Sequence, residues 1–146
     1  AANALTFETV SPQDWVSASL AGLKPVEAGR FVVHGSHDRA RVASPRIGIE
    51  IEAALAFGTG HHGTTRGCLL AFDALLRRGR PRRILDVGTG TGVLASAAAR
   101  ALRRRVLASD IDAVAVAAAR ANATSAPRQC SPLSPVAPIR IGKPIF

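Results

Sequence analysis

The sequence predicts an α/β protein: the first half of a mostly parallel, doubly wound sheet that ends in an irregular, proline-rich tail. Three observations predict it. A strand-like run, Ile84-Leu85-Asp86-Val87, empties into three alternating glycines, Gly88, Gly90 and Gly92. The Ala-rich stretch from Val93 to Leu102, with good helix propensity, follows at once, and a second apolar run from Val106 to Ser109 comes after it. That run ends in an acid, Asp110, about 20 residues beyond the turn, where a nucleotide-binding α/β fold places the acid that meets a ribose.

The other elements are read in order along the chain. Trp15, Val16, Leu20, Leu23 and Val26, punctuated by Pro12 and Pro25, describe a short helix or linker leading into the domain, with Ser11 as a helix cap ahead of Pro12. Phe31-Val32-Val33-His34 reads as a strand ended by Gly35, and Ile47 to Glu52 alternates apolar and polar with the period of a half-buried strand. Glu50 and Glu52 share one face of it and are read as pointing to water. The glycine- and threonine-dense stretch Phe57 to Thr65 is a loop, with Thr64 or Thr65 capping the next helix. That helix is expected to bury Cys68, Leu69, Phe72, Leu75 and Leu76 on one face and to end at Gly79 and Pro81. A last helix runs from about Ala113 to Ala123 with Asp112 as its cap. From Thr124 the character changes: Pro127, Pro132, Pro135, Pro138 and Pro144 fall in the last 23 residues, which show neither helical nor strand periodicity. A proline cannot donate to a central ladder, so this tail is expected to supply no core strand.

A glycine turn between strand and helix lets backbone N–H groups and a helix N-terminus approach a polar ligand closely. The spacing narrows the ligand. A dinucleotide fingerprint has its third glycine five residues after the first, where this chain has Val93, so a nicotinamide-linked oxidoreductase is disfavoured. Asp86 two residues before Gly88, with glycines at 88, 90 and 92, fits an S-adenosylmethionine turn better.

Composition bounds the rest. The chain has 146 residues, 47% hydrophobic and 20% charged, enough for one ordinary globular domain, and no run approaches the ~20 apolar residues that cross a bilayer. It begins without Met and is read as a piece of a longer product, with no charged-then-apolar leader at its start. Cys68 and Cys130 are read as free thiols, which makes the cytoplasm the expected location. His34 and His37 are three apart and His61 and His62 adjacent; neither spacing, with no third ligand nearby, makes a zinc site, so no metal is expected. The net charge is +9, and nine arginines between Arg77 and Arg105 share their stretch with one acid, Asp86. Such a rim suits RNA or a ribosome by charge. With no aromatic residues interleaved for base stacking, it is read as a solvated face.

From about Asp14 to Ala123 the chain resembles the bacterial methyltransferases that modify large-subunit ribosomal protein eleven. Phe57-Gly58-Thr59-Gly60-His61-His62-Gly63-Thr64-Thr65 is similar to that family's signature loop, and Asp110-Ile111-Asp112 to its D-I-D after the second strand. Val26 to Arg39 also resembles members from one branch of bacteria. The resemblance implies a Rossmann-like S-adenosylmethionine-dependent methyltransferase fold of which only the N-terminal half is present: residues 1–30 as linker, 31–123 as partial catalytic domain, 124–146 as tail. It implies transfer of methyl groups to lysine and N-terminal amines of the ribosomal protein, with no membrane partner and no need for direct contact with nucleic acid. By similarity Thr65 contacts the cofactor, Gly88 lets the turn approach its methionine part, Gly90 keeps the loop tight, and Asp110 accepts from the ribose hydroxyls. Asp86 is expected to brace the turn or to face the cofactor's ammonium through water, and His62 to order the signature loop.

No general base stands out, so no catalytic residue is named. The family's Asn-containing turn at the end of its fourth strand has no match after Thr124, nor does its N-terminal recognition domain, so weak cofactor binding and little turnover are expected. Half a doubly wound sheet is also expected to expose a strand edge and apolar surface. A methyltransferase for RNA or another protein, and a non-enzymatic basic ribosome-binding module, remain as alternatives.

Overall fold

The computed structural model describes residues 25–51, 63–125 and 139–142. In the first sheet, β1 (Val26–Ala28) and β2 (Phe31–His34) form an antiparallel hairpin, and β3 (Ile47–Glu50) lies parallel to β2 with Val33 opposite Ile49. The linker expected to reach residue 30 therefore gives way to the sheet at Val26. The hairpin turns at Gly29, which has a φ of 61°; a Cβ there would lie 2.8 Å from the carboxyl carbon of Asp73, so glycine is required on both counts. A 3₁₀ helix, Ser36–Arg41, links β2 to β3.

Helix α1 (Gly63–Arg78) packs on this sheet through Leu69, Phe72 and Leu76, with the Phe72 ring stacked on Phe31 at 5.9 Å. Cys68 and Leu75, expected on the buried face, are exposed, and Asp73 takes the intervening buried place. Its burial is compensated: Arg30 and Arg77 both reach the Asp73 carboxylate. Gly63 is already helical, so Thr64 and Thr65 lie in the first turn rather than ahead of it.

The second sheet is parallel throughout: β4 (Leu85–Val87), β5 (Val106–Ser109) and β6 (Ile139–Gly142), with Leu85 opposite Leu107 and Ala108 opposite Ile141. Helix α2 (Val93–Leu102) crosses from β4 to β5, and α3 (Ala113–Ser125) follows β5. Strand β6 corrects the expectation that the tail supplies no strand. Its residues lie between Pro138 and Pro144 and include no proline, so every N–H in the segment remains a possible donor.

Helix α2 is the centre of the molecule. Val93 and Ala97 join Phe31, Ile49 and Leu69 in the core against the first sheet, while Ala95, Ala98 and Ala99 join Val106 and Ala108 in the core against the second. Alanine at these positions lets a helix approach on both sides. Arg100 ties the arrangement by donating to the Gly48 carbonyl at 2.8 Å. Glu50, expected to face water, is buried; Arg39 holds both of its oxygens, at 2.6 and 2.7 Å.

Candidate functional site

The turn after β4 is built from three residues in the left-handed region, Gly88, Gly90 and Gly92, with φ of 71°, 56° and 84°. Between them Thr89 and Thr91 are buried. The N–H groups of Gly88 and Thr89 both donate to the Ser109 carbonyl, at 2.9 and 3.0 Å, so the turn is fastened to the end of β5. A Cβ on Gly92 would lie 3.2 Å from that of Ala119, and Asn122 Nδ2 donates to the Thr91 carbonyl at 3.0 Å, so α3 holds the turn from the other side.

The two acids of the motif take different places. Asp86 Oδ2 accepts from Thr89 Oγ1 at 2.7 Å and from the Ala95 N–H at 3.1 Å. It braces turn and helix together. Burial pushes its carboxyl above the ordinary aspartate value of 3.8, against the pull of those two hydrogen bonds, and the charge of Asp110 pushes the same way. Asp110, half-buried at the end of β5, accepts from the Gly90 N–H on Oδ2 at 2.8 Å and from the Asp112 N–H on Oδ1 at 3.0 Å. Asp112 in turn caps α3, accepting from the Val114 N–H at 2.9 Å.

Gly88, Gly90 and Asp110 are thus brought to one edge of the sheet, the carboxyl ends of β4 and β5, where ligands bind in open α/β sheets. Thr65 sits half-buried in the first turn of α1 and is joined to those three by no hydrogen bond among the described residues. The signature loop up to His62 lies outside the described residues. The space above Gly88 is open among the described residues: none of them lies within 4 Å of where its Cβ would be. Ile111, between the two carboxylates, is 92% exposed. Its place was not singled out from sequence, although an isoleucine between two aspartates just after a strand is an apolar group where a polar residue costs less.

The described histidines are engaged elsewhere: His34 is buried with Nδ1 2.8 Å from the Gly35 carbonyl, and His37 Nε2 lies 3.2 Å from Asp38. No three His, Cys, Asp or Glu among the described residues stand close enough to hold a metal.

Residues 1–131 match the family described as ribosomal protein L11 methyltransferase (PrmA). The chain belongs to that family. Among curated relatives, the ribosomal protein L11 methyltransferase of Rhodopseudomonas palustris is 69% identical over 111 residues, and that of Bradyrhizobium diazoefficiens 67% over 110. These matches cover 76% and 75% of this chain but 38% and 37% of the relatives, so the chain spans well under half of a full-length ribosomal protein L11 methyltransferase. The crystal structure of the ribosomal protein L11 methylase from Lactobacillus delbrueckii subsp. bulgaricus superposes with a TM-score of 0.60 at 25% identity, over 82% of this chain and 57% of that one. A partial methyltransferase fold is what the two sheets and three α-helices among the described residues amount to.

Proposed function

We propose that Gly88, Gly90, Thr65 and Asp110 hold S-adenosyl-L-methionine, and that the protein transfers methyl groups to lysine and N-terminal amines of ribosomal protein L11 in the cytoplasm. The observation that carries this is the Asp110 carboxylate anchored to the Gly90 amide beside the open ground over Gly88. A carboxylate has about four acceptor positions. Two are taken by the Gly90 and Asp112 amides, which leaves capacity for the two neighbouring hydroxyls of a ribose, held in a fixed orientation. Ile111, projecting beside them, offers an apolar platform for the purine. Asp86, turned inward to Thr89 and Ala95, fixes the turn and leaves Gly88 to approach the amino-acid end.

When bound, the cofactor supplies a methyl group on a cationic sulfur, already activated toward an amine. The protein's task is alignment, together with desolvation that favours loss of the proton from an amine whose reference pKa is ~10.4. The described residues contribute the cofactor side of that alignment. The substrate side belongs to length that the relatives have beyond this chain.

Calorimetry of the full chain with adenosylhomocysteine, alongside transfer of labelled methyl groups to purified ribosomal protein L11, tests this. The expected result is saturable but weak binding, weakened at least tenfold by Asp110→Ala, with little or no transfer. A flat titration of the folded chain removes the cofactor site. Efficient transfer removes the division of labour between this chain and the remaining length.

A further inference from the structure

We propose that the edge of the second sheet opposite the glycine turn is a docking surface for the phosphate backbone of double-helical RNA. The surface is independent of the cofactor site; the choice of a ribosomal nucleic acid rests on the function proposed above. In a parallel sheet every connection from a helix arrives at the amino edge of a strand. The connector from α1 to β4 carries Arg80, Arg82 and Arg83, and the connector from α2 to β5 carries Arg104 and Arg105. The register places Leu85 beside Leu107, so Arg83 and Arg105, each two residues earlier, arrive side by side. Arg78 closes α1 just before the first of these connectors.

All of these arginines are exposed, and none pairs with a carboxylate among the described residues. The acids of this sheet are directed elsewhere: Asp86, within β4, accepts from Thr89 and the Ala95 N–H, and Asp110 and Asp112 leave the carboxyl edge, about 13 Å away along a four-residue strand. The charges are therefore segregated across the sheet rather than interspersed. A helix C-terminus attracts cations and accounts for Arg78, but that attraction fades within one turn and does not reach Arg82 and Arg83. Crowded like charges repel one another, and a polyanion relieves the repulsion.

The chemistry of the patch selects the polyanion. Guanidinium groups pair with phosphate in two-pronged fashion, and the patch is entirely arginine. The connectors, Gly79-Arg80-Pro81-Arg82-Arg83 and Arg103-Arg104-Arg105, offer no large apolar residue to insert among lipid chains. They offer no aromatic to stack on an unpaired base. What remains is recognition of a double helix through its backbone and shape.

The test is fluorescence anisotropy of a labelled 20-base-pair RNA duplex titrated with the full chain at several salt concentrations. Two triple variants lose the same charge in different places: Arg82→Gln/Arg83→Gln/Arg105→Gln in the patch, and Arg41→Gln/Arg66→Gln/Arg120→Gln outside it. Circular dichroism melts establish that both fold. The patch variant is expected to bind at least tenfold more weakly, with its salt dependence reduced by about two to three phosphate contacts. The control variant should change less than threefold, and Asp110→Ala should bind RNA as the parent does while losing adenosylhomocysteine. Equal losses in the two triples would mean that net charge alone attracts RNA. Absence of binding by the parent chain, or tighter binding to vesicles of 30% phosphatidylglycerol in phosphatidylcholine than to the duplex, also overturns the proposal.

Discussion

Asp110, at the end of β5, holds the Gly90 amide of the turn that follows β4, at 2.8 Å across 20 residues of sequence. One carboxylate thereby sets the geometry of the glycine turn and presents its remaining acceptor positions to solvent. Bracing and binding can be separated by substitution. Asp110→Ala removes the acceptor for two amides and should cost about 1–3 kcal/mol of stability, read from urea unfolding. Asp110→Asn keeps one oxygen in place and should cost about 1 kcal/mol or less, yet still weaken adenosylhomocysteine about tenfold by calorimetry. An Asn variant with parental affinity would leave Asp110 a brace and nothing more.

Ile111 makes the complementary test. At 92% exposure it contributes little to the folded state, so Ile111→Ser should leave the thermal midpoint unchanged. If the side chain covers a purine face, the same substitution should weaken adenosylhomocysteine about fivefold, the effect of burying part of one aliphatic side chain. Unchanged affinity would remove it from the site.

Sequence alone made β4, β5 and the helices that follow them legible because each signal there is local. Three glycines at alternate positions force a left-handed turn, an alanine run propagates a helix, and Asp112 caps the next one, so α2 and β5 fall at the residues expected. Long-range pairing was not legible. Glu50 looked like a solvent-facing residue of an alternating strand until the 3₁₀ helix brought Arg39 over it, and Asp73 entered the buried face of α1 because Arg30 and Arg77 meet it there. Strand β6 was hidden by its flanking prolines, though its own four residues contain none. At the site, spacing pointed to Gly88, Gly90 and Asp110, while the Thr89–Asp86 and Asn122–Thr91 braces follow from geometry that no spacing rule encodes.

The carboxylates of Asp86, Glu50 and Asp73 titrate in opposite senses. Asp86 is raised above 3.8, chiefly by burial, so the folded state holds its proton more tightly than the unfolded chain does. Its contribution to stability falls as pH climbs through the window just above 3.8 and returns on acidification. Glu50 is lowered from 4.5, first by its hydrogen bond from Arg39; burial raises Asp73, but Arg30 and Arg77 outweigh it and leave the group below 3.8. Stability from these two is present above 4.5 and 3.8 and is lost as pH falls through their lowered values. Urea midpoints between about pH 3 and 6 should therefore lose their high-pH decline in Asp86→Asn and part of their acid loss in Glu50→Gln. An acid limb unaltered by Glu50→Gln would contradict the Arg39 pairing.

Glycines in the chain carry unequal constraints. Gly92 combines a φ of 84° with Ala119 3.2 Å from its would-be Cβ, so Gly92→Ala strains the backbone and pushes α3 away, at about 2–3 kcal/mol. Gly67 lies within α1 with none of the described residues within 4 Å of its would-be Cβ, and Gly67→Ala should stabilise by about 0.5–1 kcal/mol. Denaturant midpoints moving in opposite directions would bear this out; a neutral Gly92→Ala would mean that α3 does not rest on the turn.

Leu85, Val87 and Leu107 project from the face of the second sheet opposite α2, and they are 54%, 66% and 47% exposed. Parallel sheets are ordinarily covered on both faces, and the curated relatives have far more chain than this one with which to cover the second. In the chain as it stands the face should behave as sticky surface. It should bind a dye such as anilinonaphthalene sulfonate and scatter light increasingly with concentration. Threonine keeps strand propensity while adding a hydroxyl, so Val87→Thr/Leu107→Thr should lower both signals and leave the thermal midpoint nearly unchanged, because little buried area is lost. A midpoint several degrees lower with dye binding intact would show that these side chains are packed in solution.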